Sequence, residues 1–311
     1  MMKLSRLFTA AATVLAMGSA LASPIALQPG PVYVQFNNME QAGLIDTSGF
    51  ANTYLGKLDG ADRSLTTGSN EFNWGVFNVS SVQAGGVATD HTDISGGTTY
   101  FADGLSGGQI HGIFYGFQLN CANPVGCTKL TGGYIDLYWT DGNGLITNSD
   151  LNGNYSFANR TGFNQMGKFT QGTLLARLGY QAGAITGDTT TTVTSSVDPL
   201  NFSGVGLADG FASVMDVNGD GVIDAADGAW ASVLDSNWFY TDPTGTGAIA
   251  QRDLRFSTFY QNMDKWDNGP FVQGLRSNDP ARAFALPEPG SVTLVGLALL
   301  GLGAARRRRQ G

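Results

Sequence analysis

The chain predicts a mainly β fold, a β-sandwich or jelly-roll-like domain joined to one small helical module, and three observations lead there. Glycine supplies 44 of the 311 residues, roughly twice its usual share of about 7%. Asp outnumbers Glu by 22 to 3, a bias that suits turns and loops rather than helix surfaces. From residue 31 to about 197, short apolar and aromatic runs are separated by Gly, Asn, Asp and Ser, which is the pattern of strands and turns.

Residues 32–37, 72–82, 109–119, 134–140, 174–180 and 189–197 are the strand candidates. Within 109–119, Ile113, Tyr115, Phe117 and Leu119 alternate with their neighbours and are expected on one face. Beyond residue 200 the period changes. Ala226, Ala229, Trp230, Val233 and Leu234 recur at helical spacing, as do Phe256, Phe259, Tyr260 and Met263. Two short helices are expected there, each behind an Asp-rich loop. Residues 264–286 read as a return strand and linker.

The ends carry a different kind of information. Lys3 and Arg6 precede a mostly apolar run that reaches Ala20-Leu21-Ala22, the order of charge, apolar stretch and small residues found in a cleaved secretion signal. Residues 1–22 are therefore left out of the fold. Near the other end, Pro287-Glu288-Pro289 precedes an uncharged run over 291–305 and then Arg306 to Arg309. An apolar segment can enter a bilayer, and four arginines resist translocation, so this segment is expected to lie across the membrane as a helix with its arginines in the cytoplasm.

That string, PEPGSVTLVGLALLGLGAARRRR, resembles the PEP-CTERM sorting signal of exopolysaccharide-producing Gram-negative bacteria. The resemblance covers residues 287–309. It implies recognition and removal of the tail by a membrane-embedded exosortase, and a mature protein that is secreted or held at the cell surface. The expected organisation is a signal peptide at 1–22, a β-sandwich-like domain at 23–200, a module at 201–263, the return strand and linker at 264–286, and the sorting tail at 287–311.

Without its two ends the chain holds 11 basic against 24 acidic residues, a net charge of −13. Such a surface repels nucleic acid and anionic membranes and favours divalent cations. Cys121 and Cys127 stand six positions apart around Pro124 and Gly126. In an exported chain this spacing predicts a small structural disulfide loop.

Residues 216–227 carry the clearest chemistry. Asp216, Asn218 and Asp220 place side-chain oxygens at positions 1, 3 and 5 of a twelve-residue loop, and Gly221 permits the sharp turn at position 6. Val222 offers its carbonyl at position 7, Asp224 stands at 9, and Asp227 closes the set at 12. This is the pattern of an EF-hand-type calcium loop. Asp at position 12, followed by a helical pattern, resembles the dockerin type I repeat. A second, weaker loop has Asp242, Thr244, Thr246 and Asp253 at positions 1, 3, 5 and 12, and Ile223 and Ile249 are expected to face one another in short paired strands.

No GxSxG or HExxH motif is present, and the only histidines are His91 and His111. Glu40 and Glu71 are the one carboxylate pair that a polysaccharide hydrolase could use. The expected function is therefore non-catalytic: a calcium-binding surface or exopolysaccharide-matrix protein of a biofilm or floc. A carbohydrate-binding β-sandwich, using Trp74, Tyr138 or Trp139 as exposed rings, is one alternative, and a secreted polysaccharide hydrolase is another.

Overall fold

The computed structural model describes residues 25–28, 31–43, 72–85, 97–122, 126–142, 145–147, 168–199, 204–262, 272–277 and 281–285. The signal segment, the sorting tail, Glu71, His91 and Met263 lie outside them. No helix of the described residues is long and apolar enough to cross a membrane.

The chain is mainly β, and its strands close on themselves. Four long strands come first: β1 (Val32–Gly43), β2 (Asn73–Ala84), β4 (Gly108–Leu119) and β5 (Lys129–Asp141), with the short β3 (Thr99–Ala102) beside β2. Next come β6 (Thr173–Gln181), β7 (Val193–Ser195) and β8 (Val205–Val214). After a single helical turn, α1 (Ala231–Leu234), follow β9 (Phe239–Thr241), β10 (Ala250–Arg252), β11 (Leu254–Asn262), β12 (Val272–Arg276) and β13 (Ala281–Ala285).

Pairing runs antiparallel around a ring: β1 to β2, β4, β5, β6, β8 and β11. One position remains between β11 and β1. Both β12 and β13 occupy it, end to end. β12 pairs with residues 39–43 of β1, and β13 pairs with residues 32–36. Both also pair with β11. The result is an eight-position up-and-down barrel, in which each ring strand has a partner on either side.

The expectation of a sandwich or jelly roll is thus corrected to a closed barrel. Both architectures impose the same inward-outward alternation along each strand, and they differ only in whether the first and last strands meet. That meeting joins residues 229 to 253 positions apart.

The helical module is corrected as well. Behind the first Asp-rich loop there is one helical turn, Ala231–Leu234. Behind the second, the stretch read as a helix is the strand β11. Phe256 and Tyr260 do stand four apart, but Leu254, Phe256, Thr258 and Tyr260 also fit a period of two, and these four line the barrel interior. Phe259 faces outward and is exposed. Closure of the ring rewards the shorter period, because β11 gains a ladder on either side.

The core fills the barrel with apolar and aromatic side chains from every wall. Phe36 of β1 meets both Phe77 of β2 and Phe256 of β11 edge-on, at 5.6 and 6.3 Å between centroids. In β4 the expected alternation breaks at Gly116, whose φ of 79° suits glycine. Phe114 and Phe117 consequently both point inside, while Ile113 and Tyr115 are buried on the outward side. One end of the barrel is closed by Trp230 and Leu234 around α1, and the Trp230 indole donates to the Ile25 carbonyl at 2.6 Å.

Cys121 and Cys127 are joined in a disulfide just beyond β4, with their Cα atoms 5.8 Å apart. The loop they close leads directly into β5.

Candidate functional site

Residues 216–228 link β8 to α1, and both ends of this loop are tied to β6. Met215 N–H donates to the Arg177 carbonyl at 2.9 Å. Ala229 and Trp230 N–H donate to the Leu174 and Leu175 carbonyls at 3.0 and 2.7 Å. The loop is therefore held at its base by a barrel wall.

Its interior is organised by carboxylates. Asp216 accepts from Gly219 N–H at 2.6 Å through Oδ1 and from Gly221 N–H at 2.7 Å through Oδ2. Asn218 Oδ1 accepts from Asp220 N–H at 2.9 Å, and Asp220 Oδ1 accepts from Val222 N–H at 2.9 Å. Asp224 Oδ1 accepts from Ala226 N–H at 2.7 Å. Gly221 has a φ of 87°, as its place at the sharp turn requires.

Asp227 closes the loop onto its own start. Its Oδ1 accepts from Val217 and Asn218 N–H at 2.6 and 3.1 Å, and its Oδ2 accepts from Asp224 N–H at 3.0 Å. The side chain is fully buried. Burial works to raise its pKa, but the three N–H donors outweigh that and hold it below the usual carboxylate range.

All of these donors are hard oxygens, four of them anionic carboxylates, and no Lys or Arg side chain bonds to them among the described residues. A divalent cation of the calcium type suits such a set. Among the described residues, no group of three or more His, Cys, Asp or Glu side chains stands in position to hold a metal ion.

The second loop is built differently. Asp242 accepts from Gly245 and Gly247 N–H, both at 2.8 Å, and from the Thr244 hydroxyl at 3.0 Å. The Thr244 and Thr246 hydroxyls pair with each other at 2.8 Å. These donors, Gly247 first, hold the Asp242 carboxyl below its usual range. Asp253, however, does not close this loop. Its oxygens accept from Val214 N–H at 2.8 Å and Asn237 N–H at 2.7 Å, so it ties β8 to the segment after α1. β9 and β10 pair with one another across the loop. Ile249 is exposed, while Ile223 packs against the barrel core.

The barrel interior is the second feature, and sequence reasoning missed it. A cavity of about 110 Å³ runs between the walls. Its sides are apolar, but Asn38 and Glu40 of β1 and Asn73 of β2 project into it. Asn73 Nδ2 donates to Glu40 Oε2 at 3.2 Å. Burial pushes the Glu40 carboxyl up to about 7, with the Asn73 bond acting against it. Glu40 is the one carboxylate among the described residues that line the cavity. The alternation of Val34, Phe36, Asn38 and Glu40 was the available signal, obscured because Asn37 to Gln41 reads as the polar end of a strand.

The three rings named for sugar binding are all buried: Trp74 is 0%, Tyr138 1% and Trp139 4% exposed. Trp139 packs edge-on against Phe101 in the core. His111 is also buried, with its ring nitrogens 3.0 Å from the Phe169 carbonyl and 3.1 Å from Thr140 Oγ1. No family model, curated protein or solved structure matches this chain.

Proposed function

We propose that the chain is an exported, exosortase-processed, non-catalytic calcium-binding component of the bacterial surface or exopolysaccharide matrix. The observation that carries this reading is the loop at 216–227, in which the Asp216 and Asp227 carboxylates accept from five backbone N–H groups, those of Gly219, Gly221, Val217, Asn218 and Asp224. Asp216, Asn218, Asp220, the Val222 carbonyl, Asp224 and Asp227 would hold the ion, with calcium neutralising the clustered negative charge. The loop at 242–253 is the poorer ligand, since Asp253 is committed elsewhere.

Support for export and sorting comes from the two ends of the sequence, and the acidic surface of the mature part suits a calcium-rich exterior. The carbohydrate-binding alternative calls for exposed rings, and the three rings named for it are packed in the barrel.

Titration calorimetry of the exported protein with calcium, beside Asp216→Ala, tests the ion. At a calcium concentration 100 times the dissociation constant, linkage adds about 2.7 kcal/mol of stability. The substitution is expected to remove most of it. Intact mass should place the mature ends near residues 23 and 287, and deletion of the gene should weaken biofilm or floc cohesion. An EDTA-insensitive melting temperature would reject the calcium site, and turnover of a polysaccharide by the purified protein would reject the non-catalytic role.

A further inference from the structure

The barrel interior has features that a purely structural core does not need. Its walls at Phe36, Phe77, Phe114, Phe117 and Phe256 would pack well against more apolar surface, yet about 110 Å³ is left open among them. Protein cores ordinarily leave few voids larger than a water molecule. The volume is of the order that accepts a single aromatic ring.

Polar groups are gathered in one part of this space. Asn38 Oδ1 is buried and has no hydrogen-bond partner among the described residues. Asn38 as a whole is 3% exposed. Two positions along the same strand, Glu40 is 9% exposed and accepts a single bond among the described residues, from Asn73. Tyr260 of β11 and Ser195 of β7, bonded to each other through their hydroxyls, line the same cavity. Leaving a buried acceptor without a donor is costly, so Asn38 Oδ1 is best satisfied by a group that enters the cavity, where the Glu40 carboxyl can accept a further bond. Water could reach them, but water gains nothing from the phenylalanine walls.

We propose that the barrel interior is a binding site for a small amphiphile, with an apolar body about the size of one aromatic ring and a hydrogen-bond-donating head, hydroxyl or amine, that reaches Asn38 and Glu40. The apolar part removes the open volume among the phenylalanines. Its head supplies the donor that Asn38 Oδ1 lacks and a further one to Glu40. An ammonium head would in addition meet the Glu40 carboxylate and the faces of aromatic rings. Ser195 and Thr258, both partly exposed, line the same cavity and mark the way in from solvent. This site is independent of the calcium loop.

The test uses the exported protein with benzylamine, benzyl alcohol and, as a headless control, toluene. Binding is followed by calorimetry and by ligand-observed NMR, in wild type, Glu40→Gln and Asn38→Leu. The expected result is binding of one or both headed compounds, weakened at least about tenfold by either substitution, with toluene unaffected by them. Tighter binding of the amine identifies Glu40 as a charge partner, and equal binding of amine and alcohol identifies it as a hydrogen-bond acceptor. Absence of binding of both headed compounds at millimolar concentration would overturn the proposal. So would equal affinity in wild type and both variants.

Discussion

Asp136 and Arg177 stand directly opposite one another on β5 and β6, and Arg177 Nε donates to Asp136 Oδ1 at 2.7 Å with both side chains out of solvent. The pair lies on the outward face of the barrel wall, since its neighbours Ile135, Leu137 and Leu178 line the interior. A buried ion pair is a poor source of net stability but a costly thing to break, because the charge left behind has no water to turn to. Arg177→Met is therefore expected to cost about 3–5 kcal/mol. The double variant Asp136→Leu with Arg177→Met should cost less than the single one. Denaturant unfolding of both variants checks this, and a double variant at least as unstable as the single would show that the charges stabilise the wall in their own right.

Glu40 gives the barrel a pH response of known sign. Its folded pKa of about 7 lies above the unfolded value of 4.5, so the folded state holds the proton more firmly. Stability is full below the unfolded value and falls as pH rises through the interval from 4.5 to about 7. The loss is about 3 kcal/mol. His111 acts in the opposite sense. Burial lowers it from 6.5 to about 4, and it removes stability as pH falls through that range. The wild-type profile mixes the two, so the informative quantity is the difference between wild type and Glu40→Gln. That difference should be small at pH 4 and should favour the variant by about 3 kcal/mol at pH 8. Tyr180 and Tyr260, which also line the cavity, are raised by burial and stay neutral throughout. A pH-independent difference would show that the carboxyl binds its proton equally in the folded and unfolded states, and would contradict the upward shift.

The aspartates at position 12 of the two loops, Asp227 and Asp253, should separate in their dependence on calcium. Asp253→Ala removes the acceptor of the buried Val214 N–H and the half-buried Asn237 N–H, and is expected to cost about 2–4 kcal/mol with or without the ion. Asp227→Ala also frees backbone donors, at Val217, Asn218 and Asp224. Its cost should therefore grow when calcium is added to the wild type. Paired melting curves with calcium and with EDTA read both effects. Equal calcium dependence in the two variants would contradict the assignment of the ion to residues 216–227.

Much of the strand layout was legible in the sequence, because local alternation is a local property. The candidate strand at 109–119 differs from β4 by one residue at its start, and 174–180 from β6 by one at either end. What resisted reading depends on distant partners. β11 looked helical because Phe256, Phe259, Tyr260 and Met263 satisfy a helical period, and only the ladders to β8 and β13 favour the extended chain. The sandwich and the barrel write the same alternation, so closure was invisible. The interior polar group was hidden for a further reason. Candidate β1 ended at Asn37, whereas the strand continues to Gly43 and carries Asn38 and Glu40 inward with it. In the loop at 216–227 the spacing of the oxygen side chains was plain from the sequence, but the departure of Asp253 from the loop at 242–253 towards Val214 follows from its place just before β11, beside β8.

The shared eighth position of the barrel also sets an order of events during synthesis. β1 is among the first parts of the ring to be made, and its partners β12 and β13 are the last, the final one ending at Ala285. Until then β1 and β11 each present a raw hydrogen-bonding edge, which invites pairing with another chain. The segment that seals the seam is followed within two residues by Pro287-Glu288-Pro289. A nascent or truncated chain lacking this stretch would be sticky along two margins. Only a chain that includes residues 281–285 can close the seam along this part of β1 and β11.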